Sequence, residues 1–64
     1  MLPYQLRVVQ EKVELDEKIK RLREFKQGEV YTNLPVGEMI LLSKQLSAMD
    51  KYSECLGKRI AAFK

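Results

Sequence analysis

The 64-residue chain predicts an all-α fold: a two-helix antiparallel hairpin that assembles into a helical homo-oligomer. Three observations lead there. Two long runs of helix-forming residues flank a short segment bounded by Gly28 and Pro35. Both runs place apolar residues at helical spacing. The second run carries two apolar stripes, a broad one and a narrow heptad of small residues at Leu41, Ala48, Cys55 and Ala62. One hairpin covers one stripe, so the other needs a second copy.

Helix one is expected over about residues 4–26, where Leu, Glu, Lys, Arg and Gln dominate and no Gly or Pro intrudes. Pro3 stands at the first turn, where a missing N–H costs nothing. Val8, Leu15, Ile19 and Leu22 fall within about 60° of one another and form the main stripe. Leu6, Val9 and Val13 form a separate patch, rotated away by more than a quarter turn. Gly28 is expected at C′, where a positive φ is tolerated. Residues 27–33 are a connector whose Val30 and Tyr31 can tuck back onto the hairpin.

Asn33-Leu34-Pro35 is a start signal, because the proline biases Leu34 away from the α region. Helix two is expected over about residues 35–63. Met39, Leu42, Leu46, Met49, Leu56, Ile60 and Phe63 make its broad stripe, with Tyr52 on the margin. Gly57 lies within this helix, and fraying of its last third is favoured there over a tight approach or a ligand edge. Together the helices give one helical-hairpin domain over residues 1–64, which needs assembly because so short a chain buries little core.

Composition narrows the function. One cysteine leaves no disulfide, and the absence of histidine leaves no Cys/His zinc site, so neither metal nor other cofactor is expected. A net charge of +3 is too modest to point to duplex nucleic acid. The longest apolar run, Met39 to Leu42, is far short of a membrane span, and the N-terminus lacks a secretory pattern. A cytoplasmic location is expected. Catalysis is not: no histidine can serve as base, Cys55 reads as a packed small hydrophobe, and Glu11, Glu14, Asp16 and Glu17 interleave with lysines as a solvated face does.

Binding has better candidates. Lys18, Lys20, Arg21, Arg23 and Lys26 are either a solvated face that favours the helix C-terminus or an anion site at a subunit seam. Lys20 shares a side with the Leu6/Val9/Val13 patch, the face expected to meet another subunit. Tyr4 and Arg7 form a platform for a base and its phosphate, with an Arg7–Glu11 ion pair as the alternative. Gln45, Tyr52 and Arg59 lie in line at seven-residue spacing, either capping the seam or lining a pocket.

Leu6-Arg7-Val8-Val9-Gln10-Glu11-Lys12, then Glu14-Leu15-Asp16-Glu17-Lys18, carry a resemblance over nearly the whole chain. So do Leu34-Pro35 with Glu38, Gln45 with Met49, Tyr52 with Leu56, and the ending Lys58-Arg59-Ile60-Ala61-Ala62-Phe63. The chain resembles the phage anti-CBASS sponges, whose helical-hairpin domain is shared with anti-Thoeris sponges and crAss-phage-related small proteins. The resemblance implies a homohexamer in the host cytoplasm that binds cyclic oligonucleotide second messengers, or related nucleotide signals, between subunits without cleaving them. It implies that Lys20 meets phosphate and that a tyrosine stacks on a base. Tyr4 stands one residue from the gapless position of that tyrosine, which Gln5 holds. The resemblance also implies an arginine on helix two at a separate site for larger rings, and Arg59 is the sole arginine of that helix. The alternative is a small coiled-coil adaptor or inhibitor acting by protein–protein contact through Ala48, Cys55 and Ala62. A nucleic-acid polymer ranks third, because the basic run is short and broken by Glu24.

Overall fold

A computed structural model of the protein describes all residues, Met1–Lys64. It is entirely helical, with 84% of residues in helices and no strand. Helix α1 spans Pro3–Lys26, a single turn α2 spans Glu29–Thr32, and α3 spans Val36–Ala61. Cross-helix contacts run antiparallel: Tyr4 meets Phe63, Asp16 meets Ser53, and Arg23 meets Asp50. The result is a rod of 47 × 15 × 13 Å.

Each helix end follows from local chemistry. Pro3 opens α1, and the Leu2 N–H donates to Gln5 Oε1 at 2.8 Å, which satisfies an otherwise orphaned group. Arg23 and Lys26 occupy the last turn, the favourable end of the helix dipole for cations. Gly28 is not left-handed: it is extended, at φ −94° and ψ 169°, and is the N-cap of α2. The chain starts a new helical turn at once, so a left-handed reversal is not needed. Pro35 starts α3, its carbonyl accepting the N–H of Glu38 at 3.0 Å and of Met39 at 3.1 Å. Helix α3 does not fray at Gly57 but continues to Ala61, because Ile60 and Phe63 pack on the core beyond it.

The seam joins the main stripe of α1 to the broad stripe of α3. Val8, Leu15, Ile19 and Leu56 are buried, with Leu56 only 1% exposed. Leu46, Met49, Ile60 and Phe63 pack against them, while Leu22 and Leu42 are half-buried. At about 1.5–3 kcal/mol for each fully buried aliphatic side chain, four such residues make a small core. The narrow stripe of Leu41, Ala48, Cys55 and Ala62 lies wholly outside it. Cys55 is exposed on the single hairpin, because the broad stripe takes the seam and turns the narrow one to the far side. Leu6 and Val13 are exposed as well.

Candidate functional site

The connector positions the closed end of the hairpin. The Tyr31 hydroxyl donates to the Met39 carbonyl at 3.4 Å and shares a hydrogen bond with Ser43 at 3.2 Å. Phe25 meets the Tyr31 ring edge-on, and the Lys26 ammonium lies 5.7 Å from its centre. Beside this end, Tyr31, Val36, Met39, Ile40 and Ser43 line an apolar recess of about 310 Å³. It contains none of the four residues singled out from the sequence.

A larger groove of about 370 Å³ runs between the C-terminal half of α1 and the middle of α3. Asp16, Lys20, Arg23, Glu24 and Gln27 line one wall, and Asp50 and Ser53 the other, over a floor that includes Ile19. The charges here are sorted. Arg23 donates to Asp50 Oδ1 at 2.7 Å across the seam, and Arg21 pairs with Glu17 at 3.4 Å. Lys26 is over Tyr31. Lys20 is the groove cation without a carboxylate or ring partner.

Below Lys20, a polar triad closes the seam. The Ser53 hydroxyl donates to Asp16 Oδ1, while Lys12 Nζ donates to Ser53 Oγ at 2.8 Å and to Asp16 Oδ2 at 2.9 Å. The Ser53 hydrogen bond, followed by that from Lys12, holds the Asp16 carboxyl below its ordinary value. No buried side-chain nitrogen or oxygen is left without a partner. No group of three or more His, Cys, Asp or Glu residues is placed to hold a metal.

The other three residues gather at the open end of the hairpin. The Tyr4 ring is 48% exposed and meets Phe63 edge-on at 5.8 Å. Arg7, one turn on, is exposed and forms no pair with Glu11. Arg59 is exposed in the last turn of α3, one turn before Phe63, and forms no ion pair. Gln5 is buried and spent on the α1 cap, so the exposed aromatic at this end is its neighbour Tyr4. Tyr4 and Lys20 lie roughly 24 Å apart along α1 and about 160° apart around it. One hairpin does not bring them together.

Ser53 and Asp50 are the site residues that sequence reasoning passed over. Ser53 carried a signal: it stands four residues after Met49 and three before Leu56, a hydroxyl in the middle of an apolar stripe. Asp50 carried none, because an exposed acid on a helix has many candidate partners.

A family model described as Sequestin matches residues 2–62. The chain is 42% identical over 64 residues to an uncharacterized 7.5 kDa protein from the denB–rIIB intergenic region of Enterobacteria phage T4, covering 100% of each. No solved structure matches. No helix is long and apolar enough to cross a membrane.

Proposed function

The chain belongs to the Sequestin family, a family of phage sponges that sequester a signalling molecule rather than transform it, and from that membership we propose its ligand and its site. The ligand is a cyclic oligonucleotide immune second messenger or a related nucleotide signal, held intact in the host cytoplasm. The site lies between copies of the hairpin. Lys20 meets a phosphate, Tyr4 stacks on a base, Arg7 adds a second cation, and Arg59 belongs to a separate site at the open end.

The single observation that carries this reading is the uncommitted ammonium of Lys20 in a groove where the other cation, Arg23, already has a carboxylate. An unpaired cation beside a cavity of about 370 Å³ can accept a phosphate without first losing an ion pair. The separation of Tyr4 from Lys20 supports placement between subunits, since a ligand reaching both needs two chains. The exposed Leu6, Val13 and Leu41 support assembly, as they leave apolar surface that one hairpin does not cover.

A native mass spectrum with and without a panel of cyclic di- and trinucleotides tests this. The expected result is an oligomer that gains ligand mass and releases the ligand intact on denaturation, with the gain lost in Lys20→Ala. An oligomer that gains nothing from any of them overturns the reading in favour of a protein-binding adaptor.

A further inference from the structure

We propose that Ser53 is a positioning residue: by holding Asp16 to Lys12, it leaves Lys20 free for a ligand anion. The proposal rests on the sequestration reading and adds to it the device that keeps the phosphate site open.

Asp16 has two lysines one helical turn away, Lys12 before it and Lys20 after it. On an isolated helix the acid-first order is the better one, since it agrees with the helix dipole. Local preference therefore favours Asp16–Lys20. The folded chain shows the opposite choice, with Asp16 on Lys12 at 2.9 Å and Lys20 without a carboxylate.

Ser53 accounts for the reversal. It is buried in the seam, donates to Asp16 Oδ1 and accepts from Lys12 Nζ at 2.8 Å. Both partners are drawn toward α3, while Lys20, which lines the same groove as Asp16 and Ser53, forms no ion pair. The Lys12 stem runs beside Gly57, with Lys12 Cε 3.4 Å from where a side chain there would begin, an ordinary contact. The other acids near Lys20 are mostly engaged, Asp50 by Arg23 and Glu17 by Arg21. Glu24 follows Lys20 in the weaker, base-first order and forms no pair with it. An arriving phosphate thus has no bound carboxylate to displace.

The test is an NMR titration of the Asp16 carboxyl in the full chain, with and without Lys20→Met, in wild-type and Ser53→Ala backgrounds. In wild type, Lys20→Met should leave the Asp16 midpoint unchanged. In Ser53→Ala, Lys20→Met should raise it by about 0.2–0.4 unit, the strength of a one-turn helical ion pair. Lys12→Met, which removes the competing lysine but leaves Ser53 itself in place, should give the same coupling, and Ser53→Thr, which keeps the hydroxyl, should behave as wild type. Equal shifts in both backgrounds, or none in either altered one, overturn the proposal. In the binding assay, Ser53→Ala should weaken nucleotide affinity about twofold and Asp16→Asn should restore it. If wild-type protein binds no nucleotide, the sequestration reading fails, while the titration still decides what Ser53 does.

Discussion

The Tyr4 ring stands edge-on to the Phe63 ring, with centroids 5.8 Å apart and planes at 76°, and so ties the first turn of α1 to the residue just past the end of α3. Removing Phe63 leaves Tyr4 without its support. Phe63→Ala should cost about 1–3 kcal/mol, less than a fully buried phenylalanine because Phe63 is only half-buried. If Tyr4 stacks on the ligand, the same variant should also weaken nucleotide binding. Chemical denaturation and calorimetric titration separate the two effects.

Arg23 and Asp50 form an exposed pair at 2.7 Å, the class of ion pair that contributes about 0–1 kcal/mol. Asp50→Asn should therefore cost less than about 1 kcal/mol in a thermal melt. It also releases a guanidinium into the groove beside Lys20. Binding of a multiply charged nucleotide should tighten, and become more sensitive to salt. Weaker binding in this variant would mean that Asp50 itself touches the ligand.

Asp16 sets a pH dependence. Its folded carboxyl titrates below the ordinary value of 3.8, chiefly through the Ser53 hydrogen bond and then through Lys12. A depressed carboxyl contributes stability that is complete above the unfolded value and lost as pH falls through the folded one. The stability difference between wild type and Asp16→Asn should thus stay flat from pH 7 to about pH 5 and shrink below about pH 4. Urea melts across that range measure it, with the remaining carboxylates cancelling in the difference.

Gly57 lies in the interior of α3 with a negative φ, and a methyl there would touch Lys12 Cε at 3.4 Å, an ordinary contact. Gly57→Ala should raise stability by about 0.5–1 kcal/mol through helix propensity. In a domain of this size that is a rise of about 2–8 °C in Tm. A fall in Tm would show that the Lys12 stem needs the space.

Ala48 faces away from the hairpin seam and is exposed. Ala48→Leu should leave the helix signal in circular dichroism unchanged, yet overpack the narrow stripe proposed as the interface between copies. The mass from light scattering should drop. An unchanged mass would place the interface between copies elsewhere.

Much of the fold is legible residue by residue. Val8, Leu15 and Ile19 announce the α1 seam by their spacing, and Leu56 belongs to the broad stripe that meets it. Pro3 and Pro35 announce helix starts because a missing N–H and a fixed φ act within one turn. Gly28 stands at C′ after the Gln27 C-cap as expected but without a left-handed turn, and the fraying expected at Gly57 is absent. A glycine permits a left-handed turn or a frayed end but does not require either, and here the chain beyond each one is helical.

The proposed site was legible in residue type but not in partnership. Lys20 could be picked out with its basic neighbours, yet its freedom depends on where the charged side chains around it go. Arg21 takes Glu17 within its own helix, a pairing that spacing allows. Arg23 takes Asp50 and Asp16 takes Ser53 across the seam, pairings that no local pattern contains.

The sequence by itself determined the helices and the stripes they bury, because periodicity, capping and proline act over a few residues and each position has one preferred answer. Tertiary structure alone decided which lysine Asp16 keeps. The two candidate ion pairs differ by only a few tenths of a kcal/mol, whereas a hydrogen bond to a charged group from the facing helix contributes about 1.5–3 kcal/mol. A near-tie along one helix is therefore broken by a hydroxyl on the other.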